Sequence, residues 1–183
     1  MKRLLAPLAL LLATACSTAP PEDVVQAPGQ GVVPASPAPQ QQVRMIADYL
    51  LVDKSDRTLT AYNAGRAIRV YRGLQFGDVQ FGHKQFEGDE RTPEGLYTID
   101  TRNPQSSYHL SLRISYPNSD DRAFARQYGR SPGGDIFIHG QPNGLPAGRV
   151  PGDWTDGCIA LSNAEMRELW QLVPDGTPIE IRQ

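Results

Sequence analysis

The sequence contains few of the residues that bind metal ions or form disulfide bonds. It has two cysteines and three histidines in 183 residues, and they do not follow the spacing of zinc ligands. The 18 basic residues do not outnumber the 20 acidic ones, so the chain lacks the positive charge typical of a nucleic-acid-binding protein. We therefore expect no metal ion and no nucleic-acid partner.

The sequence also lacks an apolar run long enough to cross a membrane near its N-terminus. Residues 4–13 form an apolar run of ten residues, interrupted by Pro7, whereas a spanning helix needs about 20 residues. Lys2 and Arg3 precede this run, and small residues follow it before Cys16. This order is typical of an export signal. We therefore predict a signal peptide over residues 1–15.

The residues before Cys16 resemble the lipobox of bacterial lipoproteins, in which cleavage leaves a lipid-carrying cysteine at the new N-terminus. The alternative is an ordinary signal peptide with an incidental cysteine. In such lipoproteins a residue other than Asp after the cysteine, here Ser17, implies sorting to the outer membrane. The pattern predicts a periplasmic protein that contacts the membrane through its N-terminal lipid alone.

A proline-rich segment separates this signal from the rest of the chain. Residues 17–42 contain six prolines and almost no large apolar side chain. Such a segment buries too little apolar surface to offset its ordering entropy, so we expect residues 16–42 to be a disordered tether. In an extended polyproline form it would reach roughly 80 Å. The remaining residues, 43–183, have the usual size of one catalytic domain.

Short alternating segments predict that this domain is mainly β. We predict strands at residues 48–53, 58–62, 67–71, 96–100, 109–115 and 178–181. In the third of these, Ile68 and Val70 form the apolar side of a half-buried strand. Ser162 and Glu165 fit a capping box that starts a helix ending before Pro174, and a second short helix is predicted within residues 117–130. The pattern indicates a β-sandwich or a barrel-like mixed sheet with one or two short helices.

Cys158 is the candidate nucleophile. If the thiol of Cys16 carries a lipid, Cys158 has no cysteine with which to form a disulfide bond. An unpaired cysteine in an exported protein suggests a reactive thiol. A buried structural cysteine is the alternative. His139 ends an apolar, strand-like run and is the best candidate base, whereas His83 and His109 are predicted to be surface residues. We therefore predict that Cys158 and His139 form a catalytic pair.

Two sequence blocks resemble the L,D-transpeptidase (YkuD-type) family. His139-Gly140 followed by Thr155-Asp156-Gly157-Cys158 is similar to its signature, His-Gly and then Ser/Thr-x-Gly-Cys. Residues 88–97 match the family's Gly-Asp-x-Arg-Thr-Pro-Glu-Gly-x-Tyr. Residues 109–112 and 115–118 resemble a subgroup that includes hydrolases releasing lipoprotein from peptidoglycan. The resemblance extends from about residue 48 to residue 181.

This resemblance implies a fold, a substrate and a chemistry. The fold is a mixed β-sandwich of the L,D-transpeptidase type, and the substrate is the tetrapeptide stem of peptidoglycan. His139 would deprotonate Cys158, which would attack the diaminopimelate carbonyl and release D-Ala. The N–H groups of Gly157 and Cys158 would stabilise the oxyanion, and the carbonyl of Gly140 would orient the imidazole. No organic cofactor is implied.

Three functions remain open at this stage. A transpeptidase transfers the acyl group of the thioester to an amine acceptor. A hydrolase transfers it to water, and would act as an endopeptidase, as a carboxypeptidase or on a wall-linked lipoprotein. The third function is non-catalytic wall binding by a lipoprotein.

The residues just before the nucleophile are candidates for the substrate groove. They are Trp154, Thr155 and Asp156. The carboxylate of Asp156 would disfavour a neighbouring thiolate, unless it points away or pairs with a basic residue such as Arg149.

Overall fold

The computed structural model describes residues 45–183 of the chain. The predicted export signal over residues 1–15, the lipidated Cys16 and the tether up to residue 42 lie outside the described residues. Within residues 45–183, no helix has the length and apolar character needed to pass through a membrane.

Eight strands and two helices follow one another along the described chain. In order they are β1 (Tyr49–Asp53), β2 (Thr58–Asn63), β3 (Arg66–Arg72), β4 (Gly95–Asn103), β5 (Ser111–Ile114), α1 (Ser119–Gln127), β6 (Phe137–His139), β7 (Ile159–Ala160), α2 (Asn163–Leu172) and β8 (Pro178–Arg182).

The eight strands form one curled sheet of mixed direction in the order β3-β2-β1-β8-β4-β5-β6-β7. Two neighbouring pairs, β1 with β8 and β6 with β7, are parallel, and the others are antiparallel. The first part of β4 pairs with β8 and its second part pairs with β5, with an irregularity between Ile99 and Thr101. The predicted mainly β, mixed architecture with two helices is confirmed.

Apolar side chains from both parts of the sheet meet in one core. Leu50 and Val52 of β1, Ile114 of β5 and Ile138 of β6 have no exposed surface. From α2, Leu169 packs into the same cluster. The core therefore fixes β6, which ends at His139, and β7, which follows Cys158, against the rest of the sheet.

The predicted inward face of β3 is correct at Ile68, which packs against the core, and wrong at Val70. Val70 is 38% exposed, whereas Tyr71 is buried. Directly paired residues of neighbouring strands point to the same side of a sheet, and Tyr71 is opposite the buried Leu59 while Val70 is opposite Thr60. The bulge between β2 and β3 at Ala61 shifts the register, which the alternation of β3 alone does not reveal.

Both helices begin at capping boxes. The side chain of Asn118 accepts hydrogen bonds from the backbone at the start of α1, and the Asp121 carboxylate accepts a hydrogen bond from the Asn118 N–H. Ser162 and Glu165 form the same reciprocal arrangement at α2, which confirms the sequence prediction there. Because only two residues separate β7 from α2, the first turn of α2 lies beside the candidate site, where Asn163 Oδ1 accepts the Gln141 N–H at 2.7 Å.

Candidate active site

An open cavity of about 480 Å³ borders the ends of β6 and β7. These strands are parallel neighbours with Ile138 opposite Ile159, so Cys158 lies beside Phe137 and His139 lies beside Ala160. Side chains two positions apart along a strand point to the same face, so Cys158 and His139 face the same side of the sheet. The residues lining the cavity include Tyr108, Ser111, Asp135, His139, Trp154, Thr155, Asp156 and Cys158. The structure thus brings together the two residues that the sequence predicts as nucleophile and base.

The imidazole of His139 is held in one tautomer by its own neighbour. Nδ1 lies 2.7 Å from the carbonyl oxygen of Gly140. A carbonyl oxygen only accepts hydrogen bonds, so Nδ1 carries the proton and Nε2 is left as the basic nitrogen. Burial lowers the pKa of His139, and the bond to Gly140 opposes this shift in part. His139 is therefore a neutral imidazole, able to accept a proton through Nε2.

Two aromatic rings fix the position of this imidazole. The Tyr108 ring centroid lies 4.7 Å from that of His139, and the Trp154 ring meets His139 nearly edge-on at 5.5 Å. Tyr108 and Trp154 also contact each other, at 5.6 Å between ring centroids. The groove role that the sequence suggests for Trp154 is consistent with its place in the cavity wall, and Trp154 also packs on the base.

Gly140 has no room for a side chain. A Cβ built at this position would lie 2.5 Å from Asn163 Oδ1 and 2.9 Å from the Cβ of His109. The Gly140 N–H donates to the carbonyl oxygens of Tyr108 and Leu110, at 3.0 Å and 3.2 Å. The glycine therefore permits the close approach that connects the His139 strand end, the Tyr108 turn and the start of α2.

The surroundings of Cys158 favour the protonated thiol. Burial raises its pKa to about 11, and the charges of Asp156 and Asp135 act in the same direction. The Phe137 N–H donates to Sγ at 3.4 Å, which opposes the shift, and the thiol donates to the Asp135 carbonyl oxygen at 3.6 Å. The sequence predicts a reactive thiol, whereas the structure shows one that needs activation.

The turn that precedes Cys158 is closed by Thr155. Its buried hydroxyl donates to the Cys158 carbonyl oxygen at 2.7 Å and accepts the Gly157 N–H at 3.3 Å. Gly157 has a φ of +120° and lies so close to Arg91 that a Cβ would be 2.5 Å from its carbonyl oxygen. The Gly157 N–H is engaged inside the turn, which differs from its predicted role as an oxyanion donor.

Asp156 is exposed and faces another acid rather than a base. Desolvation, and after it the nearby carboxyl group of Asp156, raises the pKa of Glu90. The predicted alternative of an ion pair between Asp156 and Arg149 is wrong. Arg149 pairs with Glu165 instead, because the loop that carries it lies against the start of α2.

The other prominent residues of the 88–97 block support the local structure. Glu94 accepts a 2.6 Å hydrogen bond from the buried Lys54, and Arg91 Nε donates to the Phe81 carbonyl oxygen at 3.1 Å. His83 is also a structural residue. Its Nδ1 accepts the Glu94 N–H at 3.0 Å, and its Nε2 lies 3.0 Å from Asp121 Oδ1. His83 was predicted as a surface residue and is half-buried.

His109 was also predicted as a surface residue, and it too is half-buried. Its Nε2 lies 3.4 Å from Arg167, and burial together with this arginine lowers its pKa.

Sequence reasoning missed three residues at the site. Tyr108 lies in a turn, where no periodicity marks it, and Asp135 precedes β6 at a positive φ of 55°. Glu90 occupies the open position of the second signature block, so its place in that block was the available signal. Among residues 45–183, no three His, Cys, Asp or Glu side chains are grouped as metal ligands.

Comparison with known proteins identifies the family of the domain. Residues 47–181 match the family described as the L,D-transpeptidase catalytic domain, YkuD. YafK of Escherichia coli strain K12 is 28% identical over 145 residues, which cover 76% of this chain and 52% of YafK.

Two solved structures are similar at comparable identity. The helical cell shape determining protein Pgp2 of Campylobacter jejuni is 26% identical with a TM-score of 0.58, over 76% of this chain and 51% of Pgp2. Bd1075 of Bdellovibrio bacteriovorus is 27% identical with a TM-score of 0.52, over 76% of this chain and 51% of Bd1075. The chain thus spans about half the length of each of these relatives.

Proposed function

This chain belongs to the family of L,D-transpeptidase catalytic domains, and we propose that it modifies peptidoglycan by acyl transfer through Cys158. The substrate is the stem tetrapeptide, and the bond that is cleaved joins diaminopimelate to D-Ala. The observation that carries this proposal is the shared cavity of Cys158 and His139, in which Nδ1 of the imidazole is bound to Gly140 and Nε2 is the free base.

The first half of the reaction forms a thioester. Nε2 of His139 accepts the thiol proton while Sγ of Cys158 bonds to the diaminopimelate carbonyl carbon. The backbone N–H of Cys158 stabilises the oxyanion, since the Gly157 N–H is engaged by Thr155. The carbon–nitrogen bond to D-Ala then breaks, and His139 returns the proton to the departing amine.

The second half of the reaction resolves the thioester. An acceptor amine attacks the same carbonyl carbon and gives a proton to His139, the carbon–sulfur bond breaks, and Cys158 regains its proton. Hydrolysis is the second candidate, since water could replace the amine without any change in these residues. It is favoured by residues 109–112 and 115–118, which resemble the subgroup with hydrolytic members.

Product analysis separates these reactions. Purified protein is incubated with tetrapeptide muropeptides, and the products are identified by mass spectrometry. A transpeptidase releases D-Ala and forms a crosslinked dimer, whereas a hydrolase releases D-Ala and leaves a tripeptide. Crosslinked and lipoprotein-linked wall fragments are incubated in the same way. If all of these substrates remain intact, the result would favour a non-catalytic wall-binding protein.

We also propose that Cys16 carries a lipid and holds the protein at the outer membrane of the periplasm. The support is the signal pattern of residues 1–15 and the following Ser17. Metabolic labelling with a fatty-acid analogue should label the wild type and leave Cys16→Ala unlabelled. Equal labelling of both proteins would contradict this proposal.

A further inference from the structure

Three cavity-lining side chains lie in a diagonal row across neighbouring strands. Cys158 precedes β7, His139 ends β6, and Ser111 begins β5 directly opposite His139. The Gly140 N–H donates to the Leu110 carbonyl oxygen, so the next pair, Ser111 with His139, is one that exchanges no backbone hydrogen bonds. Side chains are closest in such pairs, with Cβ atoms about 4.5–5.5 Å apart. Ser111 therefore lies beside the imidazole, on the side away from the Cys158 strand.

The Ser111 side chain is buried, yet it faces the cavity. Ser111 is 3% exposed and lines the cavity, while Leu112 and Ile114 on the other face of β5 belong to the core. Within the part of the chain that the structure describes, the Ser111 hydroxyl forms no hydrogen bond. The hydroxyl of Ser106, in the same cavity wall, already accepts the Tyr108 N–H at 3.0 Å. A buried hydroxyl without a partner is costly, so that of Ser111 is available to a bound group.

The turn between β4 and β5, which forms the wall at this end of the cavity, is held by Asn143. The Asn143 N–H donates to the Ser107 carbonyl oxygen and its Nδ2 donates to that of Ser106, both at 3.0 Å. Its Oδ1 accepts the His109 N–H at 2.8 Å. This end of the cavity is therefore preformed, and a group that binds there does not have to order the turn.

The position of His139 determines which part of the substrate would meet Ser111. In the proposed reaction the imidazole returns the thiol proton to the leaving nitrogen, so that nitrogen lies next to Nε2. Ser111 is the neighbouring side chain across the sheet on this side. Asp135, by contrast, contacts Cys158 itself, where its carbonyl oxygen lies 3.6 Å from Sγ. The leaving-group part of the peptide would thus lie over β6 and β5, within reach of the Ser111 hydroxyl.

We propose that the Ser111 hydroxyl accepts a hydrogen bond from the N–H of the scissile amide, and later from the acceptor amine. This inference rests on the proposed function, because it assigns a further residue to that reaction. The scissile nitrogen keeps its own hydrogen, which donates to Ser111 Oγ, while its lone pair takes the proton from His139 and its bond to the carbonyl carbon breaks. The acceptor amine donates one N–H to the same Oγ, which directs the nitrogen lone pair at the thioester carbon.

A matched amide and ester test this role. In the ester, D-lactate replaces the terminal D-Ala of the stem tetrapeptide, so an oxygen without a hydrogen replaces the scissile N–H. Release of D-Ala or D-lactate is followed by mass spectrometry, and kcat/KM reports each reaction up to the departure of the leaving group. Ser111→Ala should lower kcat/KM for the amide roughly three- to tenfold, the usual effect of one lost hydrogen bond, and change that for the ester by less than about twofold.

Two further variants serve as controls. Ser111→Thr keeps a hydroxyl, so its ratio of amide to ester kcat/KM should stay within about twofold of the wild-type ratio. Ser119→Ala removes a hydroxyl from an exposed position of α1 and should leave both values unchanged.

The outcomes separate the role of Ser111 from the proposed function. In Ser111→Ala, a fall for the ester as large as that for the amide, or no fall for the amide, would overturn the role of Ser111 and leave the acyl transfer intact. The same loss of ratio in Ser111→Thr would also overturn it. Release of neither leaving group by the wild type would contradict the proposed function and this inference with it.

Discussion

Cys158 and His139 line one cavity, whose surroundings favour a neutral thiol and a neutral imidazole. Burial raises the pKa of the thiol to about 11 and lowers the pKa of the imidazole, so both shifts favour the uncharged forms. In a buried thiolate–imidazolium pair, the attraction between the two charges would have to offset the free-energy cost of desolvating both of them. At the residue scale, activation of the Cys158 thiol by proton transfer to His139 is therefore expected after the substrate has bound.

Removing the negative charge beside the thiol should make it more reactive. In Asp156→Asn the pKa of Cys158 should fall, because the charge of Asp156 raises it. Each unit of pKa changes the thiolate fraction tenfold, so we expect iodoacetamide to alkylate this variant roughly three- to tenfold faster at pH 8. Asp175→Asn is the control with the same change in net charge. An unchanged or slower rate in Asp156→Asn would contradict the electrostatic role of Asp156.

A methyl group at Gly140 should disturb the base without removing it. The Cβ would lie 2.5 Å from Asn163 Oδ1, so the backbone that carries the Gly140 carbonyl must move, and His139 is oriented by that carbonyl. A displacement of about 1 Å in a catalytic group can lower activity about 100-fold. Gly144→Ala is the matched control, since a Cβ there has no neighbour within 4 Å. Comparable kcat/KM values for the two variants would argue against this positioning.

At this scale the sequence predicts candidate residues better than their surroundings. Cys158, His139 and the Gly140 carbonyl were identified from the residue types and the signature. The structure places Cys158 and His139 in one cavity, with the Gly140 carbonyl oxygen 2.7 Å from Nδ1, and their catalytic roles stay predictions. The approach of the backbones that carry Glu90 and Asp156 was not predictable. It joins positions 66 residues apart through the packing of Gly77 and Gly157, which no local pattern encodes.

Among the elements of the fold, the loop before β4 depends most on buried charge. The carboxylate of Asp89 accepts three backbone N–H groups and pairs with Lys84, whose side chain is 4% exposed. Lys54 anchors the end of the same loop through Glu94 and the Gly82 carbonyl oxygen, at 2.6 Å and 3.0 Å. These two lysines and their partners hold residues 82–94, the segment that precedes β4 and contains Glu90.

The stability conferred by Asp89 should disappear in acid. Its pKa is lowered because hydrogen bonds from the Gln85 and Phe86 N–H groups and from Lys84 outweigh the opposing desolvation. A lowered folded-state pKa stabilises the protein above the unfolded value of about 3.9, and this is lost as pH falls through the folded value. Asp89→Asn should cost about 2 kcal/mol at pH 7, by urea unfolding, and a smaller amount as the pH falls through the folded-state pKa of Asp89. A cost that stays the same as the pH falls would contradict this account.

The elements themselves follow from local sequence where they are capped or strictly alternating. Ser162 and Glu165 specify the start of α2, and the alternation of Leu112 and Ile114 specifies β5. The inward face of β3 could not be predicted from its own residues, because the bulge at Ala61 decides which side faces the core. Register between strands is a tertiary property, and one shifted residue exchanges the two faces.

For the molecule as a whole, β4 is the strand on which both parts of the sheet depend. Ile99 lies where β4 changes partner, is fully buried, and exchanges backbone hydrogen bonds with the chain before β8, at 2.9 Å and 2.7 Å. The mixed sheet and its two helices were predicted from strand count and from the resemblance. The strand order was not, because the parallel pairing of β1 with β8 joins segments from opposite ends of the described chain.

Shortening Ile99 should therefore weaken the whole sheet. Ile99→Ala should lower the free energy of unfolding by about 2–5 kcal/mol, and the conservative Ile99→Val by about 0.5–1.5 kcal/mol. Urea unfolding followed by both circular dichroism and tryptophan fluorescence is the measurement. Coincident transitions in the two signals are expected if the two parts unfold together. Separate transitions for the two parts would contradict the joining role of β4.

The central claim is that Cys158 forms a thioester with the stem peptide, and the mass of the intact protein tests it directly. The protein is mixed with excess tetrapeptide, quenched in acid within seconds, and compared with Cys158→Ala. The account predicts a covalent adduct equal to the stem peptide without D-Ala, which hydroxylamine removes and which is absent from Cys158→Ala. Release of D-Ala by Cys158→Ala at the wild-type rate, or an adduct on another residue, would contradict it.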